Sequence, residues 1–169
     1  MALLPILCYP DAALRKPSEP VTNFDSALQQ LINDMFDTMY ENHGGGLAAV
    51  QVGVHQQIFV TDPASKAEEK QPMVFINPEI LVAEGAVTIE EGCLSIPDVW
   101  VPIERPEKIT VRAFNEKGES FEQYAEGYLA RCIQHEMDHF LGKLEIDYLS
   151  PLKRQRIEKK YYKLQKRRF

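Results

Sequence analysis

The first periodic pattern along the chain lies in residues 24–42, "FDSALQQLINDMFDTMYEN", where apolar side chains recur every three or four positions. This spacing predicts an α-helix with one buried face. Asp25 stands where its carboxylate can cap the first turn. The helix is expected to end at "HGGG", residues 43–46, because consecutive glycines retain too much backbone freedom to stay helical.

After this helix the pattern changes to short segments of β type, separated by turn signals such as "NEKG" at residues 115–118. Strands that follow one another without intervening helices point to antiparallel pairing. The N-terminal segment "LLPILCY" is expected to be an edge strand or a docked arm. The remaining predicted strands are "LAAVQV", "QIFVTD", "MVFINP", "ILVAEGAVTIEEG", "EKITVRAFN" and "ESFEQYAEG".

Helical spacing returns in residues 128–142, "YLARCIQHEMDHFLG", where Gly142 is expected to end the helix. A third helix is predicted from about Pro151 to the end, since proline is favourable at a helix start. The pattern predicts one α+β domain, with antiparallel strands packed around a central helix that carries an HExxH motif. Residues 1–150 form its catalytic part, and residues 151–169 form a C-terminal helix of the same domain.

Charge is divided unevenly along the 169 residues. Of 19 basic and 25 acidic side chains, residues 151–169 hold nine basic and one acidic, so the body is strongly acidic and the tail basic. Three cysteines argue against a disulfide framework and for a reducing, cytoplasmic location. Apolar runs stay far below the ~20 residues that span a bilayer, so no membrane partner is expected.

The central helix carries the clearest chemical signal, "HEMDH" at residues 135–139. His135 and His139 lie one helical turn apart and can bind one metal ion from one side. Glu136 points to the same cavity, where it can serve as a general base. The flanking residues are apolar, so the helix is expected to be buried, and buried imidazoles need partners. A metal site is therefore predicted here.

A catalytic metal site usually has three protein ligands and one open position, and the third ligand is less clear. Glu145 lies six residues after His139, where one metalloprotease group places its third histidine. Glu158 lies in the basic tail, where a solvated pairing with lysine is expected. Cys93 offers a strong thiolate ligand, although a lone cysteine is usually a small buried hydrophobe. The residues alone leave Cys93 open, whereas Cys8 and Cys132 are predicted to be buried and inert.

Three separated segments resemble, in order and spacing, the motifs of the peptide deformylases. They are "GGGLAAVQ" at 44–51, "EGCLS" at 91–95 and "QHEMDH" at 134–139, against the family patterns GxGxAAxQ, EGCLS and HExDH. The resemblance extends over almost the whole chain. It implies an α+β metallohydrolase that removes the formyl group from N-formylmethionine at the start of new polypeptides and releases formate.

The same resemblance implies roles for individual residues. Cys93, His135 and His139 are the implied ligands of one Fe²⁺ ion, with Zn²⁺ or Ni²⁺ as substitutes. Glu136 is the implied general base. The side-chain amide of Gln51 and the backbone N–H of Leu94 are the implied donors, besides the metal, to the negative charge that develops on the formyl oxygen.

The resemblance also implies that residues around this centre bind the substrate, namely Gly45, Gly46, Glu91, Gly92 and Arg131. The glycines lack side chains, so a peptide backbone can approach and pair as an added strand. In the family the residue at the position of Gly45 is commonly aliphatic and the residue at the position of Arg131 is often apolar, and both lie near the pocket for the methionine side chain. A looser or more polar rim of that pocket is therefore expected.

Trp100 lies in a variable stretch, where it either edges the substrate groove or simply packs. The basic tail has Ile157, Tyr161 and Leu164 on one stripe and cations over the rest of the helix. It is expected either to be a solvated docked helix or to lie against phosphate. The C-terminal helix of bacterial deformylases docks on the ribosome, so the resemblance implies the ribosome as partner, and free DNA is not expected.

Two other functions account for parts of the sequence. A metalloendopeptidase would keep HExxH but has no need for a thiolate ligand. A nucleic-acid or ribosome-binding module with a structural metal would need a fourth protein ligand, and His43 and His55 both lie outside the motifs.

Overall fold

A computed structural model describes residues 2–64 and 69–168 of the chain, without the side chain of residue 168. Within these residues the α-helices are α1 (Ser26–Glu41), α2 (Gly127–His139) and α3 (Pro151–Arg168). The strands are β1 (Gly46–Ala48), β2 (Ile58–Thr61), β3 (Met73–Glu84), β4 (Val87–Cys93), β5 (Ile96–Arg105), β6 (Lys108–Phe114) and β7 (Ser120–Glu126). Short 3-10 turns lie at Ala12–Arg15, Ala49–Val52 and Glu145–Tyr148.

The strands form a five-stranded sheet in the order β1-β2-β3-β6-β7 and a separate hairpin of β4 and β5. Every pairing between these strands is antiparallel. The turn at residues 115–118 joins β6 to β7, as the sequence predicts. The predicted α+β class with antiparallel strands and a C-terminal helix is confirmed.

Helix α1 forms where its apolar spacing predicts. The Asp25 carboxylate accepts a hydrogen bond from the Leu28 N–H at 3.0 Å and so caps the first turn. The buried face packs into a cluster that also holds Leu47, Ile58 and Val60 from the sheet. The helix therefore covers the β1–β2 end of the five-stranded sheet.

Helix α2 is the central element and is buried on most sides. Ala130, Ile133 and the following Phe140 pack against Phe59 and Phe75 of the sheet. The chain leaves the helix through Gly142, which has a φ of +71° and lies against the Arg15 backbone, where a Cβ would overlap the carbonyl oxygen. The opposite side of α2 faces the β4–β5 hairpin and carries the HExxH residues.

Two strand predictions were wrong in detail. "LAAVQV" is extended only over β1, and a 3-10 turn at Ala49–Val52 follows it. "ILVAEGAVTIEEG" is divided between β3 and β4, because Gly85 turns the chain with a φ of +72°. Strand β5 was not predicted, since Pro97 and Pro102 hid its alternation of buried and exposed side chains.

The N-terminal segment is a docked arm rather than a strand. The N–H groups of Leu7 and Tyr9 each donate at 2.7 Å, to the carbonyl oxygens of Gln51 and Ser95. Cys8, between Leu7 and Tyr9, is exposed, so its predicted burial was wrong. Cys132 is buried as predicted, and burial raises the pKa of its thiol to about 12.

Helix α3 docks by the predicted stripe. Tyr161 is buried and donates a 2.6 Å hydrogen bond to the carbonyl oxygen of Tyr9, and Ile157 and Leu164 are partly buried. Glu158 accepts hydrogen bonds from Arg154 and Tyr9, so its partner is an arginine rather than the expected lysine. In the part of the chain that is described, none of the helices is long and apolar enough to cross a membrane.

Candidate active site

The predicted metal ligands come together from two elements. His135 and His139 lie on α2, and Cys93 is the last residue of β4. One potential ligand atom from each lies within 4.8 Å of the others. The Sγ of Cys93 is 3.6 Å from the Nε2 of His139. Among residues 2–64 and 69–168, this is the single group of three or more such side chains close enough to hold an ion.

The donor set fits a transition metal. One thiolate and two imidazoles are ligands that Fe²⁺ and Zn²⁺ accept, and three protein ligands leave a position for a reacting molecule. The Nδ1 of His135 is 3.0 Å from the Oε1 of Glu91, which turns its Nε2 toward the cluster. Burial lowers the pKa of His139 well below its usual range, so the neutral form that a metal requires is favoured.

Glu91 is held by three cationic or polar side chains. Arg105 binds both carboxylate oxygens, at 2.6 and 2.9 Å, and Arg131 lies at 3.0 Å. Burial alone would raise the pKa of Glu91, but hydrogen bonds from His135 and Arg105 outweigh burial and hold it at about 2. The carboxylate therefore remains charged and fixes the orientation of the His135 ring.

Arg105 was missed in the sequence, although it occupies a buried position in the alternation of β5. Its Nη1 donates at 3.0 Å to Asp138, which also accepts a 2.6 Å hydrogen bond from Tyr148. Asp138 is the aspartate of the "HEMDH" motif. One arginine therefore joins strand β4 to helix α2 behind the site.

Arg131 is buried, and its guanidinium points into the protein. It forms an ion pair with Glu91 and donates hydrogen bonds to the carbonyl oxygens of Val87, Ile89 and Ile103. Both Arg131 and Glu91 line the cavity, but their charged groups are engaged by protein partners. The polar rim expected from Arg131 is thus largely neutralised.

Glu136 is buried beside the ligands. Its Oε1 lies 3.8 Å from the Nε2 of His135, and its Oε2 has no hydrogen-bond partner among the described residues. Burial, the largest influence, raises the pKa of Glu136 to about 7. Gly46 packs against this side chain, because a Cβ at residue 46 would lie 3.3 Å from the carboxyl carbon. Such a group suits both accepting and donating a proton near neutral pH.

The Gln51 side chain is fixed at both ends. Its Oε1 accepts from the Ala48 N–H at 2.9 Å, and its Nε2 donates to the Ser95 Oγ at 3.0 Å and lies 3.6 Å from the Cys93 Sγ. The amide nitrogen is thus directed at the ligand cluster. Ser95 was missed as a functional residue, although it ends the "EGCLS" motif and is fully buried. Leu94 lies in the turn between β4 and β5.

A cavity of about 970 Å³ opens over the cluster. Its lining includes every residue predicted for the site except His139, which lies behind the other ligands. A Cβ at residue 45 would overlap the Tyr128 hydroxyl, so a larger residue there would have to displace the end of this exposed side chain. Tyr128 was not predicted, and it occupies the space that an aliphatic residue 45 would fill. The lining residues predicted from the sequence are Gly45, Gly46, Gln51, Glu91, Gly92, Cys93, Leu94, Arg131, His135 and Glu136.

The alternative ligands lie elsewhere. Glu145 is buried, with 3% of its surface exposed, but it does not belong to the ligand cluster. Neither of its carboxyl oxygens has a hydrogen-bond partner among the described residues. His55 contacts the carbonyl oxygen of Ala13 at 2.9 Å. The cluster thus has three protein ligands, which agrees with an open catalytic site rather than a closed structural one.

Sequence comparisons agree with this geometry. A family model described as polypeptide deformylase matches residues 3–155. Peptide deformylases from Hamiltonella defensa and Alkalilimnicola ehrlichii are each 52% identical to this chain. The alignments cover 98% and 97% of this chain and 96% and 92% of those proteins.

Solved structures give the same result. The crystal structure of a peptide deformylase from Legionella pneumophila has a TM-score of 0.93 at 47% identity, covering 99% of this chain and 98% of that one. The peptide deformylase from Ehrlichia chaffeensis in complex with actinonin has a TM-score of 0.90 at 41% identity, covering 96% and 98%. Similarity of this extent in both sequence and fold establishes that the chain belongs to the polypeptide deformylase family.

Proposed function

We propose that this chain is a metal-dependent peptide deformylase. It hydrolyses the formyl amide at the N-terminal methionine of newly made polypeptides and releases formate. The observation that carries this proposal is the buried Glu136 beside the cluster of Cys93, His135 and His139, at the base of an open cavity. The names of the relatives support the same activity.

The metal is proposed to be one Fe²⁺ ion per chain, with Zn²⁺ or Ni²⁺ as substitutes. Cys93, His135 and His139 hold it. When bound, a divalent ion polarises the formyl oxygen and makes a water molecule more acidic. Glu91 keeps His135 oriented through the 3.0 Å contact with its Nδ1.

Glu136 carries the proton through the reaction. It accepts a proton from the attacking water and later delivers it to the leaving amine. Its pKa of about 7 matches both roles, since the carboxyl can be deprotonated at the first step and protonated at the second. The Oε2 atom of Glu136 has no hydrogen-bond partner among the described residues, so no protein donor competes for it.

Negative charge that develops on the formyl oxygen is stabilised by the Gln51 amide and the backbone N–H of Leu94. The contacts of Gln51 with Ala48 and Ser95 leave its amide in one orientation, so no reorganisation is needed during the reaction. One such donor is typically worth about 3–4 kcal/mol of transition-state stabilisation.

The peptide backbone is proposed to lie along Gly45, Gly46 and Gly92, which leave room for its approach. Glu91 and Arg131 bound the same cavity and shape it, with their charges engaged internally. This arrangement suits an extended substrate that enters with its formyl end first.

The ribosome is proposed as a partner through α3. Tyr161 anchors the helix to the body, and Lys159, Lys160 and Lys163 are exposed. Phosphate-rich RNA is the complementary surface for such a helix. Residues 1–150 are the proposed catalytic part and residues 151–169 belong to the same domain. A cytoplasmic location follows from the substrate, which emerges from the ribosome.

Formate release from a formyl-Met tripeptide, followed together with peptide cleavage, tests the reaction. A deformylase releases formate and leaves the internal peptide bonds intact. Glu136→Gln should remove most of this activity, whereas Glu41→Gln, at an exposed position on α1, should keep it. Cleaved internal bonds without formate would instead identify a metalloendopeptidase.

Charge reversal tests the ribosome proposal without removing the buried anchor. Replacing Lys159, Lys160 and Lys163 with glutamate should weaken co-sedimentation with ribosomes and flatten its salt dependence. Formate release from a tripeptide should be unchanged. Equal ribosome binding by the variant and the wild type would indicate that α3 is only a docked, solvated helix.

A further inference from the structure

Trp100 is exposed in a place where the fold does not require a tryptophan. It is the only tryptophan among the 169 residues, and 63% of its surface is exposed. Its neighbours Val99 and Val101 are buried, so Trp100 lies on the outward face of β5. A large aromatic side chain left in water near a cavity is typical of a contact surface.

The indole lies against the backbone of Gly92. A Cβ at residue 92 would come within 2.9 to 3.1 Å of three atoms of its six-membered ring. The β4–β5 pairing shifts its register between Glu91 and Cys93, which leaves Gly92 at the irregularity. Because residue 92 has no side chain, the indole ring can lie against the backbone next to the proposed metal ligand Cys93.

This position forms one wall of the cavity. Trp100 lines it together with Ile89, which is half-exposed, and with Pro97. All three side chains are apolar, in contrast to the end of the cavity that holds His135 and Glu136. The wall thus offers an apolar surface next to the point where a formyl group would react.

The reach of a peptide brings its second and third residues to this wall. An extended chain advances about 3.3 Å per residue, so these side chains lie roughly 7–10 Å from the formyl carbon. The ring lies against Gly92, the residue before the ligand Cys93, so it is beside the path of an extended chain bound at the cluster.

We propose that Trp100 is a specificity-determining residue. Its indole face contacts one of the two side chains that follow methionine and favours large apolar or aromatic groups there. The inference rests on the proposed deformylase activity. An aromatic pair and the area it buries correspond to a preference of about tenfold.

Steady-state kinetics with two peptide series tests the inference. In one series the second residue of formyl-Met-X-Gly is glycine, leucine or phenylalanine, and in the other the third residue varies. Trp100→Ala should lose about tenfold in kcat/KM for the phenylalanine peptide, through KM, and little for the all-glycine peptide. Trp100→Phe should retain most of the preference. Tyr124→Ala, an exposed aromatic outside the cavity lining, is the matched control.

Because Trp100 is the only tryptophan, its fluorescence reports on binding without turnover. Zinc-loaded Glu136→Gln protein should show a saturable emission change with the phenylalanine peptide and a smaller one with the glycine peptide. Unchanged emission, or an unchanged side-chain preference in Trp100→Ala at both positions, would overturn the inference. Failure of the wild type to release formate from every peptide would instead overturn the proposed activity.

Discussion

Glu145 provides a quantitative test of how burying a carboxyl group in this protein changes its pKa and the free energy of unfolding. The side chain is 3% exposed, and neither carboxyl oxygen has a hydrogen-bond partner among the described residues. Burial raises its pKa from an ordinary value of 4.5 to about 8, and the opposing effects of His135 and Arg105 are smaller. The folded protein therefore holds a proton that the unfolded chain has already released at neutral pH.

The sign of the effect follows from this difference. A carboxyl whose pKa is higher in the folded state favours folding fully below pH 4.5, and this stability is lost as the pH rises toward 8. A pKa difference of one is worth about 1.4 kcal/mol, so the whole loss is about 5 kcal/mol above pH 8. At pH 7 most of it, roughly 3 kcal/mol, has already occurred.

Urea unfolding of the zinc-loaded protein between pH 5 and pH 9 measures this directly. Glu145→Gln keeps the shape without the charge, so its free energy of unfolding should match the wild type near pH 5. Above pH 8 it should exceed the wild type by several kcal/mol. Glu41→Gln, at an exposed position, controls for the change in net charge. If the difference in free energy of unfolding between the wild type and Glu145→Gln stayed constant with pH, the reasoning would be refuted.

Three further predictions concern single contacts. Gly45→Ile should lower kcat/KM for formyl-Met peptides, and adding Tyr128→Leu to the same protein should restore it. In a double-mutant cycle the two substitutions should show a coupling energy of about 1–3 kcal/mol. Additive effects of the two substitutions would contradict the proposed packing of residue 45 against residue 128. Ser95→Ala should lower kcat about fivefold with little change in KM, because Gln51 loses one hydrogen bond of ~1 kcal/mol. A change confined to KM would contradict this role of Ser95. Asp25→Ala should reduce the free energy of unfolding by about 1 kcal/mol in urea titrations, with no effect on formate release.

Local patterns in the sequence correctly predicted the central helix and the proximity of its two histidines. Spacing by four residues determines that His135 and His139 share one face of α2, and apolar flanks indicate that this helix is buried. Cys93 lies about forty residues earlier, on a different element. Its position beside the histidines depends on the packing of the β4–β5 hairpin against α2, which no local pattern encodes. The resemblance to the deformylase motifs supplied that pairing.

Contacts between distant elements account for what was missed. Arg105 is one of several charged residues near the end of β5, and its role is evident only from its contacts with Glu91 and Asp138. Likewise, the sequence alone does not distinguish Gly45 from other turn glycines, because its contact with the Tyr128 side chain appears only in the structure. Strand β5 itself escaped prediction because its prolines conceal the alternation that pairing with β4 reveals.

The central claim is that Glu136 and the cluster of Cys93, His135 and His139 form a metal-dependent deformylase centre. The most direct test purifies wild-type protein and Glu136→Ala without oxygen, measures bound metal and follows formate release from a formyl-Met peptide. The account predicts about one divalent ion per chain in both proteins, with formate released rapidly by the wild type alone. Equal behaviour of the two proteins, with no formate from either, would contradict it.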